Sequence, residues 1–264
     1  MSDLKGGLDI LYKRYNRREF VSPDPLEFLY NYSRPEDIEV AAVVASSLAY
    51  GQVKQILKIV GAVLGKTGEH PAEYLCRANE RELKETFCGL KYRFTEGVQI
   101  ARLLGAVKKL RAEYGGLEKV YLAHAQAGET NCGGVRAFAA KLRGAAGGDI
   151  GTLIPSPEAG SSFKRLQLCL RWLVRKDAVD TGIWKKTDPA LLIVPLDVHM
   201  HRVARMLKLT VRAQADMKTA LEITTGFRRM SPADPVKYDF CLTRFGIREE
   251  MDENDLPSFL AKVK

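Results

Sequence analysis

The chain has 264 residues, of which 46% are apolar, 28% charged and 8% aromatic, enough to bury a sizeable core in one large or two interleaved domains. No apolar run reaches the roughly eighteen residues of a membrane span, and the first twenty residues mix charge among their few apolar positions, so a cytoplasmic protein without a secretory signal is expected. Forty-one Lys and Arg against thirty-two Asp and Glu leave a net +9. The surplus is local: residues 161–212 hold eleven basic and four acidic side chains, a net +7, so a polyanion is expected to sit there. A solvated basic face with no partner is the alternative.

Helical spacing runs through most of the chain and strand-like alternation is almost absent, which predicts an all-α fold. Between Val40 and Leu64 the apolar positions Val44, Leu48, Ile56, Ile59, Val60 and Val63 recur at three and four residues. The interruption at Ala49-Tyr50-Gly51-Gln52 fits either two helices joined there or one bent helix. Further helices are predicted over 71–78, 81–88, 95–114, 117–126 and 133–142. The stretch 144–160, GAAGGDIGTLIPSPEAG, is a loop or a run of tight turns. Over 163–175 Leu166, Cys169, Leu170 and Leu173 share one helical face, while Lys164, Leu168, Arg171 and Arg175 follow on another. One stripe packs and the other offers positive charge. Pro195 ends the short apolar segment that starts at Leu191, and Asp197 fits the N-cap of a helix carrying Val203, Ala204 and Leu207. Two more helices are predicted over 216–227 and 232–245, the second with Ser231 as N-cap, Pro232 at its first position, Asp234 in its first turn and Gly246 just past its end.

No G-x-S-x-G, P-loop or G-x-G-x-x-G occurs, which removes the common hydrolase, nucleotide and dinucleotide signatures. The histidines are His70, His124, His199 and His201. On a helix the last two point about 200 degrees apart and cannot grip one ion, so no metal site is expected. Cys76, Cys88, Cys132, Cys169 and Cys241 are odd in number and contain no C-x-x-C pair, which argues against a disulfide framework or a zinc knuckle and for small buried hydrophobes. What remains is Lys164 with Asp197. A lysine among the cations Arg165 and Arg171 is biased towards the neutral amine that a nucleophile needs, and an aspartate at a helix start is held as the carboxylate that can oppose a developing positive charge. Such a pair suits attack on an electrophilic sugar carbon. A solvated Lys164 and a purely capping Asp197 are the competing reading. Trp172 and Trp184 could stack on a base, although Trp172 lies in the helix of Leu170 and Leu173 and fits a core.

The segment PLDVHMHRVARMLKL at 195–209 resembles the part of the helix-hairpin-helix DNA glycosylase superfamily in which a proline-flanked V-D-x-H carries the catalytic aspartate, and the match falls on Asp197. ALEITTGFRRMSPADPVKYDFCLTRFGI is similar to that family's closing helices, VASSLAYGQVKQI to its early L-S-x-Q-x-T helix, and GLKYRF at 89–94 to the G-L-x-Y-R-A segment of the 8-oxoguanine glycosylase branch. SSFKRLQLCLRWLVRKD looks most like the archaeal 8-oxoguanine glycosylase group, with Lys164 at the position of the nucleophile. The chain as a whole also resembles a bacterial family of this length, a distant relative of those enzymes. The four segments fall in the family's order over about residues 40–250.

The resemblance implies two helical lobes, 38–194 and 1–37 with 195–264, and a groove that holds the site. It implies a monomer that flips a damaged base out of double-stranded DNA, removes it with Lys164 assisted by Asp197, and cleaves the strand as a lyase. Arg165, Arg171, His199 and Arg202 would hold the backbone together with Arg93. Tyr50 and Gln52 would help fill the gap left in the duplex, unless they are a plain surface helix end. Two features depart from the family. Its L-P-G-V-G hairpin is replaced by Pro157-Glu158-Ala159-Gly160-Ser161-Ser162, and the four-cysteine iron–sulfur cluster of one branch has no counterpart, so no cofactor is expected. The lost hairpin glycines favour the alternative of a DNA- or RNA-binding protein that keeps the scaffold without the chemistry.

Overall fold

The structure, a computed structural model, describes residues 2–124, 132–158, 160–248, 251, 255, 256 and 260. It is helical apart from one two-stranded hairpin, as the spacing predicts. No helix among the described residues is long and apolar enough to cross a membrane. The chain divides into two compact units, one from residues 1–22, 160–182 and 188–264 and the other from 23–159 and 183–187. These are the terminal and central units below. The division differs from the boundaries that the resemblance implies, because residues 160–182 and 188–194 group with the termini and 23–37 with the central segment.

In the central unit α2 (Pro35–Ser47) is buried along almost its whole length. Its two buried carboxylates tie down neighbouring helix starts. Asp37 accepts a hydrogen bond from the Ala72 amide at 2.9 Å at the head of α4 (Pro71–Arg77). Glu39 pairs with Arg111 and accepts from the Leu117 amide at 3.1 Å and from Trp184 Nε1 at 2.9 Å. Trp184 is therefore core, wedged against the rings of Tyr121 and Phe138. The interruption at 49–52 is a true break: α2 stops at Ser47 and α3 (Val53–Thr67) follows. The remaining elements are α5 (Glu80–Phe87), β1 (Lys91–Tyr92), β2 (Thr95–Glu96), α6 (Gly97–Tyr114), α7 (Leu117–Leu122) and α8 (Cys132–Ala145). The hairpin is antiparallel, with Tyr92 opposite Thr95. Gly97 begins α6 where a Cβ would lie 1.7 Å from the Phe87 carbonyl oxygen, so only glycine fits between hairpin and helix. The predicted end of the helix at Gln126, and Ala159 in the loop, lie outside the described residues.

The terminal unit contains α1 (Ser2–Tyr15), α9 (Lys164–Val174), α10 (Val198–Met206), α11 (Met217–Met230) and α12 (Asp239–Ile247). Leu166, Cys169, Leu170 and Leu173 of α9 are buried as the spacing requires, and Trp172 is core. The last helix departs from the prediction. Residues 232–238 form turns, Ser231 closes α11 instead of opening α12, and Gly246 lies inside α12. The reason is tertiary: Asp234 is drawn to Arg175 Nε at 2.9 Å, while Lys237 and Tyr238 reach Asp9 of α1 at 2.7 and 2.8 Å. Three cysteines also differ from expectation, since Cys76 and Cys88 are exposed and Cys132 is half-buried; Cys169 and Cys241 are buried.

Candidate active site

Lys164 and Asp197 meet. Nζ of Lys164 lies 3.5 Å from Oδ2 of Asp197, and the lysine side chain keeps 36% of its surface in solvent against 15% for the aspartate. The amine is thus paired yet reachable. Both residues are positioned from α11. Ser161, ahead of α9, bridges to Asp216, and its Oγ accepts from the Phe163 amide at 3.1 Å. Asp216 is the N-cap of α11, accepting from Thr219 at 2.9 Å, and it also pairs with Arg212 at 2.7 Å. Phe163 is fully buried and left-handed, with φ of 53°, a backbone turn that a non-glycine residue tolerates only when its surroundings enforce it. Lys164 is the first residue after that turn. On the other side, the Val194 amide donates to Thr224 Oγ1 of α11 at 3.0 Å, fixing the irregular segment that delivers Asp197. Oδ1 of Asp197 then accepts from the Met200 amide at 2.8 Å as the N-cap of α10.

The solvent face of α10 is basic. Val198, His201, Arg202 and Arg205 line an open depression of about 520 Å³ that starts one residue after Asp197. Val198 is 67% exposed. His201 donates from Nε2 to the Arg212 carbonyl at 2.9 Å, which holds the ring in place. Arg202 is exposed, whereas Arg165 and His199 are half-buried. Among the described residues no group of three or more His, Cys, Asp or Glu is arranged to hold a metal ion.

Arg171 does not belong to this surface, contrary to the expectation from the sequence. It is 3% exposed and bridges Asp180, at 3.3 Å, and Asp239. Arg175 is equally buried and pairs with Asp177 and Asp234 at 2.9 Å each, and with Asp180. Tyr12 of α1 donates to Asp177 at 3.0 Å. Beyond the first turn of α9 the second stripe therefore gives its positive charge to buried carboxylates, and of its cations Lys164 alone reaches solvent. Burial pushes the Asp239 carboxyl up to about 6; the charge and hydrogen bond of Arg171 pull the other way, while Asp197 and Asp180 add to the rise.

Tyr50, Gln52 and Arg93 lie together on the central unit. The Tyr50 hydroxyl is 2.7 Å from Thr95 Oγ1 and donates to the Tyr92 carbonyl at 3.1 Å, and Tyr92 Oη donates back to the Tyr50 carbonyl. The two rings pack at 4.8 Å. Between them Gly51 has φ of 94°, and a Cβ there would come within 3.0 Å of Tyr92 Oη and 3.2 Å of Arg93. Gln52 is exposed at the head of α3. Arg93 sits at the hairpin tip with φ of 51°, a region glycine usually occupies, and its guanidinium lies 5.5 Å from the centre of the Phe94 ring. Phe94 is 75% exposed. Sequence reasoning missed Phe94, although K-Y and T-E flanking a two-residue tip were a visible hairpin signal. It also missed Arg205, which helical spacing places on the face of Arg202 and His201.

No curated protein and no solved structure matches the chain. A family model matches residues 24–248, a span that contains both Lys164 and Asp197, and the chain belongs to that family, described as protein of unknown function (DUF2400).

Proposed function

We propose that the chain is a DNA glycosylase with lyase activity that excises a damaged base, an oxidised purine in the reading that the sequence resemblance favours. The observation that carries this reading is the reachable amine of Lys164 held 3.5 Å from the Asp197 carboxylate at the junction of two helix starts. In the reaction the neutral amine attacks the sugar C1′, and the glycosidic bond breaks with its electron pair leaving on the base. Asp197 opposes the positive charge that develops on the sugar and takes the proton that nitrogen sheds. Ring opening then gives a Schiff base between Lys164 and the sugar; loss of a C2′ proton from it expels the 3′-phosphate and cleaves the strand.

The basic face of α10 supports a polyanionic substrate, because it begins beside the pair and carries Arg202 and Arg205 in the open. On the central unit, Phe94 and Arg93 offer an aromatic face and a cation suited to an unpaired base. With its hydroxyl engaged, Tyr50 stiffens the tip that presents Phe94.

Borohydride trapping on abasic and 8-oxoguanine duplexes tests the reading. A covalent adduct with the wild-type protein that disappears in Lys164→Gln supports it; no adduct with any damaged substrate refutes it. The second reading, a nucleic-acid-binding protein without turnover, is favoured by one feature, the approach to α9 through Ser161, Ser162 and the left-handed Phe163 in place of a glycine hairpin. It requires salt-dependent binding to DNA or RNA that Asp197→Asn leaves unchanged.

A further inference from the structure

In the central unit α5, α6 and the end of α8 enclose a cavity of about 210 Å³. Its floor is apolar, lined by the buried residues Ala78, Leu83, Ala101 and Ala146. Gly105 of α6 keeps it open: Leu83 Cδ1 of α5 lies 3.9 Å from where a Cβ would stand. The mouth is cationic. Ala101, Gly105 and Lys108 follow at four and three residues along α6, and Arg102 and Lys109 stand seven apart, so one helix face carries both floor and rim. Lys84 joins them from α5. Among the described residues Glu80 is the sole acid in the lining, and Lys84 engages it at 2.8 Å. Arg102, Lys108 and Lys109 form no ion pair with a carboxylate among the described residues. Arg102 donates to the Asp149 carbonyl at 3.0 Å and lies against Gly148, where a Cβ would come within 2.8 Å of its guanidinium. Lys108 donates to the Ala78 carbonyl at 2.7 Å, and Lys109 Nζ stands 4.0 Å from the place of a Gly147 Cβ. Their field meets at the mouth: the hydrogen bond and charge of Lys84 hold Glu80 below the ordinary carboxylate range, and Lys109 and Arg102 deepen the drop.

Three cations gathered over an apolar floor without a counter-charge repel one another, and an anion in the recess relieves that repulsion. A phosphate monoester suits the arrangement. It carries about −1.5 to −2 at neutral pH and three acceptor oxygens, which an arginine and two lysines can share, while a short organic group rests on the floor. A carboxylate brings one charge and two oxygens and leaves part of the set unused. The volume lies below the roughly 300–1,000 Å³ of a drug-sized site, so the organic group is small. We propose that this cavity binds a small phosphate monoester, with Arg102, Lys108 and Lys109 on the phosphate and the floor between α5 and α6 beneath its organic part. The site belongs wholly to the central unit and is independent of the reading of Lys164 and Asp197 as catalytic.

The test is amide NMR of the whole 264-residue chain with n-butyl phosphate, inorganic phosphate and butyrate as probes, read at Gly105, Ala146 and Gly147. Saturable shifts at those amides are expected, with n-butyl phosphate bound about tenfold more tightly than inorganic phosphate, because part of its chain leaves water, and more tightly than butyrate. Replacing Arg102 and Lys109 together by glutamine should weaken n-butyl phosphate by about tenfold or more. Glu80→Gln removes the one competing acid and should tighten it severalfold, a gain that damage to the fold cannot produce. Butyrate bound as tightly as n-butyl phosphate overturns the assignment to phosphate, and inorganic phosphate bound equally well overturns the part given to the floor. A DNA duplex that displaces n-butyl phosphate from these amides makes the cations a nucleic-acid surface and overturns the small ligand. No shift at those amides removes the site altogether, whatever borohydride trapping gives for Lys164.

Discussion

Asp197 divides its two oxygens between two tasks: Oδ1 closes the start of α10 through the Met200 amide, and Oδ2 faces the amine of Lys164. The tasks separate by substitution. In Asp197→Asn the side-chain oxygen can still accept from Met200, so the helix start survives while the negative charge opposite Lys164 is lost. Trapping yield is expected to fall by about 10²–10⁴-fold, the usual range for removing a proton-transfer group, with little change in melting temperature. Asp197→Ala loses both, and thermal unfolding should show a further deficit of about 1 kcal/mol for the missing cap. Equal yields from wild type and Asp197→Asn would leave Asp197 a cap and nothing more. The sequence carried this residue well, since an N-cap is a local device: the aspartate, the proline two positions before it and the helical spacing after it all lie within a dozen residues. Phe94 was less legible because its significance is its exposure, which depends on Tyr50 and Tyr92 locking the hairpin from 42 positions apart.

Periodicity located α9 and its packed face, and it marked the second stripe as positively charged, but it could not say whether that stripe met water or buried acid. The deciding partner of Arg171 is 68 residues away in α12, and no local pattern encodes such a pairing. The same long reach displaced the start of α12, where contacts to Asp9, 228 residues distant from Lys237, hold open a segment that Ser231 and Pro232 would otherwise begin as helix. Arg171 thus joins α9 to α12, and removing it tests the join. Arg171→Met leaves Asp180 with one arginine and Asp239 with none, a loss on the order of 3–5 kcal/mol for a broken buried pair. The penalty has a pH dependence whose sign follows from Asp239. Its carboxyl is raised to about 6 even with Arg171 pulling it down, so without Arg171 it holds its proton to still higher pH; at low pH it is neutral and needs no counter-charge, while at high pH folding must bury a bare carboxylate or keep a proton that the unfolded chain has shed. Urea unfolding of wild type and Arg171→Met should therefore differ more at pH 8 than at pH 5. A gap independent of pH would mean that Asp180 alone bears the loss.

For the whole molecule, a net charge of +9 says little until it is divided. Of the eleven basic residues between 161 and 212, Arg171 and Arg175 are consumed inside the terminal unit, while Arg202 and Arg205 stand in the open beside the depression on α10. Only the second kind can displace counterions from a nucleic acid. A phosphate neutralised by one arginine contributes about 0.9 to the slope of log affinity against log salt on duplex DNA. Replacing Arg202 and Arg205 together by alanine should then flatten that slope by nearly 2, with the same loss on undamaged and damaged duplex, because phosphate contacts carry no base information. The Phe94→Ala variant should do the opposite, leaving the slope alone and reducing the preference for duplex with an unpaired or missing base, since a ring stacks on bases and neutralises no phosphate. Titrations of the wild type and both variants over a range of salt concentrations separate the two contributions. A slope that Arg202 and Arg205 do not change would move the polyanion off α10. It would leave the Lys164–Asp197 pair without the surface that now makes nucleic acid its expected substrate.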